Sequence, residues 1–226
     1  MAQAEIVALV PMRHHSERVP GKNYRLFAGK PLFYQVLQQL LLCPSISRII
    51  VDTDSPTIMQ FIQQDFPQVQ LIERPKYLCD GGVAMNDVLL HDISQVSADY
   101  YLQTHATNPL LRHETINCAI DRFLAGVPMY DSLFGVTKIQ TRFWDGLARA
   151  INHNPRILLR TQDLPPLYEE NSCLYMFSKG TLVDHHNRIG ERPIMYEIDR
   201  LEAVDIDEEL DFRVAELLYL EREEES

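Results

Sequence analysis

Ile6 to Leu32, IVALVPMRHHSERVPGKNYRLFAGKPL, joins an apolar run to a loop crowded with cations. Ile6 to Val10 is a short, nearly continuous apolar run, β-branched at Ile6, Val7 and Val10, with Pro11 directly behind it. That pattern predicts a buried strand rather than one face of a helix. A long loop follows, carrying Arg13, Ser16, Arg18, Lys22, Arg25 and Lys30 against a single acid, Glu17. In a protein whose formal net charge is −11, such cationic density needs a reason. A cradle for a polyphosphate supplies one, because guanidinium forks, ammonium groups and loop N–H groups all donate to phosphate oxygens. A solvated basic loop is the plainer alternative, and charge alone does not separate the two.

Ser16 to Asn23, SERVPGKN, has the Gly-Lys of a Walker A motif but lacks its first Gly and final Ser or Thr, so the loop is not a P-loop. At 226 residues, 46% hydrophobic and 23% charged, the chain suits one large globular domain, residues 1–226, with a sizeable core. A pI near 5.1 argues against a nucleic-acid partner. No apolar run is long enough for a signal peptide or a membrane span, which predicts a cytoplasmic protein without a membrane partner. The four cysteines are widely spaced and suggest neither zinc ligation nor a disulfide framework.

Working outward, Pro31 is expected in the first turn of a helix with an apolar face at Leu32, Val36, Leu37, Leu40 and Leu41. Ile46 to Asp52 reads as a second strand, and Asp52-Thr53-Asp54-Ser55-Pro56 as the capped start of the next helix. Capping is also the default role for Asp52 and Asp54. Val69 to Ile72 reads as a third strand, so βαβ units and a parallel sheet follow, with ligands expected beyond the carboxyl ends of the strands. A loop from Arg74 to Val83, a helix from Met85 to Val96, a strand from Tyr100 to Gln103, a helix from His113 to Leu124 and a strand from Ser132 to Val136 continue the alternation. The segment 137–170 breaks it and is read as a small inserted lobe. Cys173 to Phe177, Pro193 to Ile198 and Val204 to Asp207 are expected strands, with a final helix from Glu208 to Glu221 and a solvated acidic tail, Glu221 to Glu225.

In a strand, Asp205 and Asp207 share one face because side chains alternate with period two. Two like charges there repel unless a cation lies between them, and Mg²⁺ suits one or two carboxylates plus substrate phosphates. Capping of the final helix by Asp207 is the competing role. The adjacent pairs His14-His15 and His185-His186 are expected to be surface or hydrogen-bonded histidines rather than metal ligands.

The loop pattern R-x-x-S-x-R-x-P-G-K-N from Arg13 to Asn23, together with D-I-D-x-x-x-D-F-x-x-A-E from Asp205 to Glu216, resembles the acylneuraminate cytidylyltransferase family of CMP-sugar synthetases. The related CMP-Kdo synthetases are close behind. Two internal stretches agree: Leu102 to Arg112 is similar to the family's L-Q-x-T-x-P-L-R segment, and Glu170 to Tyr175 to its E-N-G-x-x-Y segment. The resemblance implies a Rossmann-like three-layer α/β/α nucleotidyltransferase of glycosyltransferase-A-like build, its sheet mostly parallel. It further implies CTP and an acidic nonulosonate-type sugar as substrates, Mg²⁺ or Mn²⁺ as cofactor, and a homodimer formed through the lobe. Arg13, Ser16, Arg18, Lys22 and Asn23 would then bind the nucleotide; Gln103, Arg112 and Asn171 the sugar; and Asp205 and Asp207 the metal. Arg13, Lys22 and Asp207 would carry catalysis. Glu17, Arg18, His14-His15 and Ser172 depart from the sialate-type pattern. The choice of sugar, another nucleotide, or a nucleotide-binding protein without turnover therefore stay open alternatives.

Overall fold

The computed structural model describes residues 4–224. In chain order its elements are β1 (Ile6–Met12), β2 (Leu26–Phe27), β3 (Lys30–Pro31), α1 (Phe33–Leu41), β4 (Arg48–Thr53), α2 (Pro56–Asp65), β5 (Gln70–Glu73), α3 (Met85–Gln95) and β6 (Tyr100–Thr104). They continue with α4 (His113–Gly126), β7 (Ser132–Ile139), β8 (Leu167–Phe177), α5 (Lys179–His185), β9 (Pro193–Glu197) and α6 (Glu209–Glu224). Glu225, the last residue of the expected acidic tail, lies outside the described residues.

Every residue of β1 is buried, because both faces of the sheet are covered. Ile6, Ala8, Val10 and Met12 join a core with Leu37, Ile58, Ile62, Ile120 and Phe123 from α1, α2 and α4. The alternate residues Val7 and Leu9 meet Leu89, Ile93 and Leu182 from α3 and α5 on the other side. The result is a three-layer α/β/α arrangement, each large buried side chain contributing about 1.5–3 kcal/mol. Sheet order is β5-β4-β1-β6-β8-β7-β9. β1 pairs in parallel with β4 and β6, and β4 with β5, while β8 runs antiparallel to β6 and β7. β7 and β8 extend well past the rest of the sheet, so the 27 residues between Ile139 and Leu167 form the irregular excursion.

Several local expectations are corrected. Pro31 is not in a helix: it pairs in the β2–β3 hairpin, whose two-residue turn has Ala28 and Gly29 at φ 48° and 83°, and α1 starts two residues later. The cap of α2 is Ser55, whose Oγ accepts from the Ile58 N–H at 3.3 Å, with Pro56 behind it. Asp52 and Asp54 are used elsewhere. Val204 to Asp207 is not a strand but an extended segment without a ladder, in which the Ile206 N–H donates to the Thr107 carbonyl. The alternation argument for Asp205 and Asp207 therefore does not apply, although both carboxylates reach the same cavity by other means. Asp207 does not cap α6 through its carboxylate, which pairs with Arg18; Asp211 reaches back to the N–H groups of Asp207 and Glu208 at 3.1 and 2.7 Å.

Behind the carboxyl ends of β4 and β5, Asp52, Arg74 and Asp92 form a buried cluster. Arg74 pairs with Asp52, and the buried Asp92 carboxyl lies near enough to Asp52 for each to act on the other's ionisation. Burial raises the pKa of both acids, and at Asp92, where the Asp52 charge adds to burial, the value reaches about 9. Arg74 opposes the rise at Asp52 by pairing with it, so Asp92 is the acid that keeps its proton. A carboxyl raised in the folded state contributes stability that is complete below its unfolded pKa of about 3.9 and is lost as pH climbs toward about 9. Between pH 6 and 9, wild-type stability should therefore fall by up to about 1.4 kcal/mol per pH unit from this group, and Asp92→Asn should flatten that slope. Urea denaturation at several pH values reads it; equal slopes for the two proteins would remove Asp92 as the proton holder.

Candidate active site

The loop after β1 is shaped by bonds that turn Arg13, Arg18 and Lys22 toward one cavity, whereas Arg25 and Lys30 lie outside it. Asn23 is buried and donates to the Arg13 carbonyl at 3.0 Å, closing the loop on itself. The His14 N–H donates to Asp54 at 2.6 Å, its ring nitrogen bonds Ser55 at 2.7 Å, and the ring stacks on Tyr24. His14 thus anchors the loop to the start of α2. Gly21, at φ 66°, makes the turn that brings Lys22 inward. Gly81, from the loop after β5, sits so near Arg13 and Glu17 that a Cβ there would lie 3.0–3.1 Å from their tips. The 80–83 loop therefore packs directly on the cationic loop.

The C-terminal segment docks onto this loop through a small core of Val19, Phe27, Leu32, Ile206, Phe212 and Ala215. Polar contacts reinforce it. Arg25 holds Glu209 with two bonds of 2.6 and 2.8 Å and covers the Phe212 ring at 4.3 Å. The Ala28 N–H donates to Glu216, and Lys22 donates to the Ile206 carbonyl. Docking places Asp207 2.6 Å from Arg18 and 3.9 Å from Lys22. Burial lowers the pKa of Lys22, against the pull of Asp205 and Asp207. Burial raises that of Asp205, with Asp207 adding and a hydrogen bond from Thr107 opposing.

These groups line one cavity of about 520 Å³ beyond the carboxyl ends of β1 and β6. Arg13, Ser16, Arg18, Lys22, Asn23, Asp205 and Asp207, all singled out from the sequence, meet there. Three others do not line it. Gln103 is fully buried, its amide bonded to His105 at 2.9 Å and to Arg188 at 2.6 Å. Asn171 is spent inside β8, on Thr137 at 3.1 Å and the Cys173 N–H at 3.2 Å. Arg112 stands at the start of α4, exposed beside Glu114, in a separate small hollow.

The cavity also contains residues that sequence reasoning passed over. Arg74 begins the loop after β5, and the strand-end rule applied there would have found it. His105 lies inside the Leu102 to Arg112 segment; burial and the charges of Arg188 and Lys22 hold its pKa down at about 3, so it is neutral. Arg188, in the turn after α5, carries no spacing signal at all. Ser172, where the family pattern has Gly, has φ 58° in the β8 bulge opposite Gly135. The left-handed backbone is what suits Gly there, and Ser bears it at a cost of roughly 1–2 kcal/mol.

A divalent cation fits the donor set. Asp205 Oδ1 is buried without a hydrogen-bond partner among the described residues, and Asp207 lines the same wall. No group of three or more His, Cys, Asp or Glu able to hold a metal occurs among the described residues. Two carboxylates with the remaining ligands from phosphates is the arrangement Mg²⁺ accepts.

The chain is similar to known proteins in sequence and in fold. The CMP-N,N'-diacetyllegionaminic acid synthase of Legionella pneumophila is 27% identical over 228 residues, covering 94% of this chain and 95% of that protein. N-acylneuraminate cytidylyltransferase A of Danio rerio is 26% identical over 218 residues, covering 93% of this chain and 50% of that protein. The structure of a CMP:2-keto-3-deoxy-manno-octonic acid synthetase complexed with CTP superposes with a TM-score of 0.73, covering 97% of this chain and all of the other at 16% identity, which shows a shared fold. No helix among the described residues is long and apolar enough to cross a membrane. A family model described as cytidylyltransferase matches residues 7–226, so the chain belongs to the cytidylyltransferase family that its loop and its C-terminal signature resemble.

Proposed function

We propose that this cytidylyltransferase transfers CMP from CTP to the anomeric hydroxyl of a 2-keto-3-deoxy acidic sugar of the nonulosonate class. The observation that carries the reading is the meeting, in one cavity, of the cationic loop of Arg13, Ser16, Arg18 and Lys22 with the carboxylates Asp205 and Asp207. The relatives named for legionaminic and acylneuraminic acids support the sugar class. In the reaction, the sugar hydroxyl oxygen bonds to the α-phosphorus, the bond from that phosphorus to the bridging oxygen breaks, pyrophosphate leaves and the hydroxyl proton is lost.

Such transfer depends on positioning and charge neutralisation more than on covalent chemistry by the protein. Arg13, Arg18 and Lys22 hold the triphosphate, Ser16 adds a hydroxyl donor, and Asn23 keeps Arg13 in place by bonding its carbonyl. Lys22 is tethered to the Ile206 carbonyl and largely enclosed, so its ammonium is pre-oriented and costs little further ordering. Asp205 and Asp207 would hold Mg²⁺ or Mn²⁺, which supplies neutralisation of phosphate charge and acidification of the attacking hydroxyl. The excursion between β7 and β8 leaves Leu147, Ile151, Ile157 and Leu158 exposed, and we assign it to a homodimer contact with a second copy of the chain.

Pyrophosphate release should require CTP, a divalent cation and one member of a panel containing N-acetylneuraminic, legionaminic, pseudaminic and 3-deoxy-manno-octulosonic acids. UTP, GTP and TTP should support little of it, and release without any sugar acid would refute the assignment. Asp207→Asn should lower turnover on the order of 100-fold or more. The unfolding free energy should move by less than about 1 kcal/mol, since the Arg18–Asp207 pair is solvent-exposed. Undiminished turnover at saturating Mg²⁺ would strip Asp207 of its role. Sedimentation equilibrium should give twice the 26.2 kDa chain mass for the wild type and the monomer mass for Leu158→Glu.

A further inference from the structure

Most cations around the cavity already have an acid: Arg18 and Lys22 have Asp207, and Arg74 has Asp52. Arg188 differs. It is largely buried and lines the cavity, yet no carboxylate forms an ion pair with it among the described residues. Its contacts are a bond from Nη1 to Gln103 Oε1 at 2.6 Å and the face of Tyr175, whose centroid is 3.5 Å from the guanidinium carbon. Glu170 acts on it at longer range, its carboxylate taking up the Tyr175 hydroxyl.

The fold spends effort on holding this side chain. α5 stops at His186, which has φ 49° and pairs with Asp87 at 2.9 Å. The Arg188 N–H donates to Asn86 at 3.3 Å, and Asn187 accepts from the Ile189 N–H at 3.1 Å. The turn is thereby tied to the first turn of α3, while Tyr175 from β8 and Gln103 from β6 fix the guanidinium plane. A buried guanidinium without a counter-ion is costly unless an anion arrives, and its flat fork matches a carboxylate with two parallel bonds.

Two anions enter this cavity under the function proposed above, on which this inference rests. The triphosphate has the cationic loop. In a 2-keto sugar acid the carboxylate is bonded to the same carbon as the attacking hydroxyl, so its receptor must lie close to the phosphate end. Arg188 meets that condition, since it lines the same cavity as Arg13, Ser16 and Lys22 of the cationic loop. We propose that Arg188 is the receptor for the sugar carboxylate, and that Tyr175 and Gln103 are positioning residues that hold its plane. Gln103, unable to reach the cavity itself, acts on the sugar through Arg188.

The test uses the full chain, CTP, the sugar acid that the panel identifies, and its C1 carboxamide. The wild type should prefer acid over amide by about 100-fold in kcat/KM, the scale of a buried charge pair. Arg188→Gln should lower kcat/KM for the acid by about that factor, mostly through KM, and should bring the acid-to-amide ratio close to one. CTP affinity, measured by calorimetry, should not change. Arg188→Lys, which keeps the charge without the fork, should recover part of the preference and serves if the Gln variant does not fold. A purely structural role would weaken acid and amide alike and leave their ratio intact, which would overturn the proposal. A parallel loss of CTP affinity, pointing to phosphate contact, would overturn it too. If no sugar acid turns over, the proposed function fails separately, and calorimetric titration of N-acetylneuraminic acid into CTP-loaded wild type and Arg188→Gln still reads the receptor: binding that is equal in both, or absent from both, refutes it.

Discussion

The bond from the Lys22 ammonium to the Ile206 carbonyl joins the two ends of the chain, and the site depends on that junction. Neither partner is placed by the sheet. Lys22 lies in a loop, and Ile206 in an extended segment with a single backbone bond to Thr107. The apolar contact of Val19 and Phe27 with Ile206 and Phe212 excludes water from the junction, and the low local dielectric makes the ammonium–carbonyl bond stronger than it would be in solvent. Asp205 and Asp207 flank Ile206, so seating one isoleucine sets the position of both carboxylates.

The same junction explains how an acidic protein maintains a cationic cavity. Against a formal net charge of −11, Arg13, Arg18, Lys22, Arg74 and Arg188 converge beyond the strand ends, in a cavity that Glu17, Asp80, Asp205 and Asp207 also line. The acids that accompany them are placed unevenly. Asp207 shares Arg18 and Lys22 and Asp52 occupies Arg74, whereas no acid forms an ion pair with Arg13 or Arg188 among the described residues. Neutral His105 adds no charge of its own between them, because burial beside two cations keeps it unprotonated.

The fold was legible where a pattern has a physical period. β1, β4, β5, β6 and the helices between them announce themselves by apolar runs, turn residues and Ser55-Pro56. The cationic loop was legible because charge on one short segment stands out against an acidic background. What failed was local geometry decided by distant partners. Pro31 looks like a helix start, yet it is held in a hairpin whose turn N–H at Ala28 bonds Glu216 from the far end of the chain. Asp205 and Asp207 look like strand neighbours, yet Thr107 and the hydrophobic seat of Ile206 set their course. Arg188 was invisible for the same reason: its meaning lies in Tyr175 and Gln103, neither of which is near it in sequence.

The hydrogen bonds that close the site span about as much sequence as the chain possesses: 184 residues between Lys22 and Ile206, and 189 between Arg18 and Asp207. Contacts of such separation form late, after the loop-closure entropy of nearly the whole polypeptide has been overcome. During synthesis β1, β4 and β6 can pair while the C-terminal segment is still within the ribosome, but the two carboxylates cannot meet the cationic loop until α6 has emerged and docked. A nascent or C-terminally clipped chain would therefore own a nearly finished sheet and its cationic loop, without the two carboxylates that complete the cavity. Competence arrives in the last step of assembly.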